Sequence, residues 1–114
     1  MNLSQLIIKR IKDKNARNDY GVTPLHLAAR NGHFEVCLLI VENVENKNPA
    51  RSNGETPLFV AAMNGHLEIY KLIMDQVDEK NPAAKNGVTP LIMATQNGHY
   101  KICNLIRNTL ANKA

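Results

Sequence analysis

Between Thr23 and Asn43 the apolar positions fall into two groups with helical spacing. Leu25, Ala28 and Ala29 lie three and four residues apart, which puts them on one face of a helix of about two turns. Thr23-Pro24 predicts its start, because the threonine hydroxyl can accept an orphan N–H and proline at the first helical position gives up nothing. Asn31-Gly32 predicts its end in a left-handed cap. A second helix is predicted to open near Phe34, with Val36, Cys37, Leu39 and Ile40 at helical spacing and Glu35 near the positive end of its dipole, and to end around Asn43. From Glu45 to Glu55 the apolar pattern lapses. Asn48-Pro49 and Asn53-Gly54 stand there instead, and an Asn-Gly pair predicts a tight hairpin-type turn.

The same pattern then returns. TPLHLAARNGHFEV at Thr23 is followed by TPLFVAAMNGHLEI at Thr56 and TPLIMATQNGHYKI at Thr89, each 33 residues after the last. All six glycines and all five prolines keep that register: Gly21, Gly54 and Gly87; Gly32, Gly65 and Gly98; Pro24, Pro57 and Pro90; Pro49 and Pro82. Glycine supplies positive φ and proline fixes φ without a donor, so a register shared by both means that conformation repeats along with sequence. A fixed interval of this length predicts a stack of identical helix-helix-hairpin units, each presenting the same faces to its neighbours.

These residues resemble the ankyrin repeat, whose signature is T-P-L-H-x-A in a 33-residue period. TPLHLA at Thr23 to Ala28 matches it throughout. The resemblance implies an all-α ankyrin-repeat solenoid of stacked helix-turn-helix units with projecting β-hairpin loops. Repeats are expected over 18–50, 51–83 and 84–114. Leu6, Leu39, Leu72 and Leu105 keep register, as do Lys14, Lys47, Lys80 and Lys113, so residues 1–17 are expected to be the second helix of a partial N-terminal repeat. The chain then reads as a segment of a longer array or as an array with a degenerate cap. Stacked repeats need a polar capping unit, so Leu6 and Ile7 are expected to pack inward and Ile8 and Ile11 to leave an apolar outer side prone to self-association.

Two departures from the family pattern carry consequences. The histidine of the tetrapeptide, understood in the family to hydrogen-bond around the threonine, survives only as His26, with Phe59 and Ile92 in the other two places. The usual Gly-Ala-Asp-Val-Asn after the second helix is replaced by Val44-Glu45-Asn46-Lys47-Asn48 and Val77-Asp78-Glu79-Lys80-Asn81, so the helix end is expected to close differently.

Composition sharpens this picture. In 114 residues, 44% hydrophobic content suffices for a core, but with only 4% aromatic residues the packing falls to small and aliphatic side chains. The N-terminal apolar stretch of Leu6, Ile7 and Ile8 is far short of a signal sequence and no segment is long enough to span a membrane, so a soluble, cytoplasmic chain is expected, with the nucleus also open to it. Net charge is +4, with Lys9, Arg10, Lys12 and Lys14 crowded near the start. That run reads as the solvated face of a terminal helix, with a nucleic-acid or acidic-partner patch as the alternative.

The reactive side chains fit no chemical constellation. His33, His66 and His99 recur one unit apart, roughly 8–10 Å in a helix stack, whereas zinc holds its ligands at about 2.0–2.3 Å. They are expected to bond loop carbonyls of their own or the adjacent unit. Cys37 and Cys103 lie two units apart, roughly 16–20 Å, beyond the reach of a disulfide. No phosphate loop, nucleophile elbow or zinc-protease motif occurs, and neither catalysis, metal nor cofactor is expected.

The function expected from the resemblance is protein recognition. Partners of ankyrin arrays usually meet the hairpin tips and the exposed side of the first helix. Here those positions are Asp19, Tyr20, Val22, Arg30 and Asn31; then Ser52, Asn53, Glu55, Met63 and Asn64; then Lys85, Asn86, Val88, Gln96 and Asn97. Tyr20 and Arg30 stand out as typical anchors, and Met63 as adaptable apolar surface with no evident core duty. A structural spacer inside a larger repeat protein is the alternative from another class. A basic nucleic-acid-binding surface is a third.

Overall fold

The computed structural model describes residues 20–111. Within them six helices follow in order: α1 Pro24–Asn31, α2 Phe34–Asn43, α3 Pro57–Asn64, α4 Leu67–Met74, α5 Pro90–Gln96 and α6 Tyr100–Ala111. They form three antiparallel pairs. The first helices α1, α3 and α5 make one layer and the second helices α2, α4 and α6 the other, each packing on its counterpart in the next pair. The expected N-terminal partial helix, with Leu6, Ile7, Ile8, Ile11 and the basic run, falls outside the described residues, as does Asp19.

Each first helix begins as the sequence predicts. Thr23, Thr56 and Thr89 are N-caps, accepting the amides of His26, Phe59 and Ile92 at 3.4, 3.1 and 3.2 Å. Loss of the histidine in two units therefore leaves the threonine cap in place. What it removes is the reciprocal bond of a capping box, which only His26 makes, accepting the Thr23 amide on Nδ1 at 3.1 Å. A second amide of each later helix is satisfied from outside. Asn48 Oδ1 accepts the Leu58 N–H and Asn81 Oδ1 the Leu91 N–H, both at 3.0 Å, tying the connecting loop to the next helix start.

Between the layers, positions of equal register build the core. Ala28, Ala61 and Ala94 are buried, and their small side chains let the first helices approach closely. Ile40, Ile73 and Ile106 do the same work in the second layer with more bulk. One register position is filled by three different side chains, Cys37, Tyr70 and Cys103, all buried; the Tyr70 hydroxyl donates to the Lys80 carbonyl at 2.6 Å, so the larger residue brings its own hydrogen bond.

The second helices close without the family glycine, and the lysine repeated at 33 residues takes its place. Lys47 Nζ donates to the carbonyls of Val41 and Val44 at 2.6 Å each, and Lys80 Nζ donates to those of Met74 and Val77. A cation there satisfies orphan carbonyls and complements the negative end of the dipole.

Candidate functional site

The hairpin tips and the solvent side of the first helices form one continuous face. Each tip is a three-residue loop closed by one cross-bond: Arg51 N–H to Glu55 O at 2.9 Å, and Ala84 N–H to Val88 O at 2.8 Å. Gly54 takes φ +87° while no other residue type among those described has positive φ. The tight hairpin-type turn expected at Asn53-Gly54 takes the form of a three-residue loop with glycine alone in the left-handed position. Within each loop a further turn bond, Gly54 N–H to Arg51 O at 2.8 Å and Gly87 N–H to Ala84 O at 2.9 Å, tightens the bend, and the projecting hairpins are turns rather than paired strands. Consecutive tips are joined through backbone atoms, Ser52 N–H to Tyr20 O at 2.7 Å and Lys85 N–H to Asn53 O at 2.9 Å.

Side chains bind the units together below the tips. His26 Nε2 donates to Glu55 O at 3.0 Å. His66 Nε2 donates to Arg30 O and His99 Nε2 to Met63 O, both at 3.1 Å, and Asn97 Nδ2 adds a second bond to Met63 O at 2.9 Å. Two of the histidines expected on loop carbonyls, His66 and His99, thus bond carbonyls near the end of the preceding unit's first helix, whose last turn lacks intrahelical donors.

Of the expected contact residues, Tyr20, Arg30, Asn31, Ser52, Asn53, Asn64, Lys85, Asn86, Gln96 and Asn97 are exposed, and Val22, Glu55 and Val88 are half-buried. Met63 is half-buried too, so it is not the freely exposed helix position its polar neighbours suggested; its backbone is engaged by the next unit. Tyr20, Val22 and Arg30 meet in an open cleft of about 270 Å³ between the first two units, together with His26, Leu27, Arg51 and Val60. Arg51 and Leu27 were not singled out from sequence. Arg51 opens the hairpin Arg-Ser-Asn-Gly-Glu, and its charge four residues before Glu55 was the available signal, the two now standing 3.9 Å apart.

The charges are segregated. Among the described residues the only acidic side chain on a tip or first helix is Glu55, whereas Arg30, Arg51 and Lys85 lie there; the other acids belong to the second helices and the loops that follow them. No three potential metal ligands cluster among the described residues. Burial pushes the Cys37 thiol up to about 12, leaving it protonated and inert at neutral pH.

Two family models match the chain. One describes ankyrin repeats in three copies and covers residues 37–113. The other, for ankyrin repeats in many copies, covers residues 11–58. This chain belongs to the ankyrin-repeat family. Ankyrin repeats are generally protein-interaction modules. No curated protein matches the chain. Among the described residues no helix is long and apolar enough to cross a membrane.

Proposed function

We propose that the chain is a protein-recognition module whose partner lies across the hairpin tips and first helices. The observation that carries this reading is the division of labour on that face. Backbone atoms fix the spacing of the tips, Asn53 and Asn86 shape their own loops by accepting the Glu55 and Val88 amides, and Tyr20, Arg30, Ser52 and Lys85 project exposed side chains from the face. Fixed spacing keeps down the ordering cost of binding, and side chains released from core duty can vary to suit a partner. The reading adds no chemistry of the chain's own.

Affinity capture from a native lysate followed by mass spectrometry identifies a partner, and substitutions place it. Tyr20→Ala or Arg30→Ala is expected to weaken that partner by about 1–3 kcal/mol with little change in thermal unfolding. Substitutions of Glu42 or Lys71, exposed on the second helices, are expected to leave it unaffected. The reverse pattern would remove the tip-and-first-helix assignment.

A further inference from the structure

The cleft between the first two units has a composition that selects among protein partners. Its floor and walls are apolar where Val22, Leu27 and Val60 line it, and Leu27 and Tyr20 keep 50% and 66% of their surface exposed. Two arginines, Arg30 and Arg51, share the same lining with no acidic residue among them. Glu55 neutralises little of this, because its contact with Arg51 is a single 3.9 Å approach between partly exposed groups. The Arg51 Nε is itself buried without a hydrogen-bond partner among the described residues, while the side chain keeps about a third of its surface exposed and carries its charge into the lining.

We propose that this cleft receives a short peptide segment of the partner in which a carboxylate stands beside a large aliphatic or aromatic side chain, the proposal resting on the protein-recognition reading above. The carboxylate meets the exposed part of the Arg51 guanidinium and Arg30, and the apolar neighbour covers Leu27 and the Tyr20 ring. Size supports a peptide. About 270 Å³ lies below the range of roughly 300–1,000 Å³ usual for an enclosed small-molecule site, and the cleft is open along the groove. A nucleic acid fits less well, since its dense phosphate charge calls for more cations than these and gains little from the aliphatic walls.

The test is selection of a random-peptide phage library on the full chain. Synthetic peptides of the enriched sequences are then measured by fluorescence anisotropy against the original chain and against Arg30→Ala, Arg51→Ala and Leu27→Ala, with circular dichroism to verify folding. The expected result is enrichment of Asp or Glu next to Leu, Ile, Phe or Tyr, and about tenfold weaker binding on loss of either arginine, the size of one interface anchor. Affinity is also expected to fall with added salt. Arg30 is exposed, so its variant keeps the test decisive even if Arg51→Ala were to disturb the hairpin. Failure of any sequence to enrich, or enrichment without acidic residues, overturns the proposal. If such non-acidic peptides lose affinity on substitution of Met63, Lys85 or Asn86, the broader recognition surface stands and this cleft assignment alone falls. If they respond only to Glu42 or Lys71, both fall. Displacement of the peptide by a short single-stranded oligonucleotide that itself binds more tightly would also overturn it.

Discussion

Phe59 and Ile92 occupy the same place in successive units, three residues after the capping threonine, yet Phe59 is 3% exposed and Ile92 40%. The local helix is the same in both, down to the Thr56 and Thr89 caps. What differs is the neighbour: α3 lies between α1 and α5, while among the described helices α5 has only α3 on its flank. The comparison teaches that burial in this solenoid belongs to the interface between units and not to the unit. Conformation is set within 33 residues, and most of the stability is conferred by the next 33.

The largest effect expected from that difference is on truncation. Phe59→Ala should cost about 3–5 kcal/mol, as for other buried aromatic side chains, whereas Ile92→Ala should cost about 1 kcal/mol or less. Urea denaturation of the two variants measures both, and equal losses would break the comparison. Next in size is a pair of glycines at equivalent helix ends. Gly65 and Gly98 have φ +76° and +74°, so alanine at either carries a left-handed penalty of about 1 kcal/mol or more. At Gly65 the added Cβ would also stand 2.6 Å from His99 Nδ1, displacing the ring that bonds Met63 O; at Gly98 it would meet only the Tyr100 hydroxyl, at 4.0 Å. Thermal unfolding should therefore show Gly65→Ala losing about twice as much as Gly98→Ala.

The start of each helix and the turn between the pair were legible because they depend on residues within a few positions of one another. Thr23-Pro24 and Asn31-Gly32 bounded α1, and the apolar spacing bounded α2 at Phe34 and Asn43. Interactions whose partners are far apart or whose side chains are long were not. The 33-residue recurrence of Lys47 and Lys80 was visible, but nothing in a periodicity tells which carbonyl a flexible ammonium will reach. Arg51 was missed as a groove residue for a related reason: the cleft it lines is made by two units, and its walls come from positions between 20 and 60. Met63 was read as an exposed helix position and is half-buried, because the next unit, 33 residues on, closes against it and bonds its carbonyl through His99 and Asn97.

Two smaller expectations sharpen the contrast from the side of the unit. The lysine caps are made within a unit, so Lys47→Met and Lys80→Met should lose similar amounts, about 1–2 kcal/mol each, whatever their position in the stack. A large inequality would mean that the caps, too, depend on a neighbour. Tyr70→Phe removes a hydrogen bond to the carbonyl of the following loop, one that the Cys37 and Cys103 thiols at the equivalent positions do not make, and should cost about 1 kcal/mol by equilibrium denaturation.

The bonds that join consecutive hairpin tips run from Ser52 N–H to Tyr20 O and from Lys85 N–H to Asn53 O. Every amino acid except proline carries the same N–H and every one the same C=O, so these rungs are blind to the identity of the residue that makes them. Mutation at Tyr20, Ser52 or Lys85 can therefore rewrite what the face displays without altering the pitch at which it is displayed. The protein keeps its ruler in the main chain and its alphabet in the side chains, and selection can edit the second while leaving the first untouched.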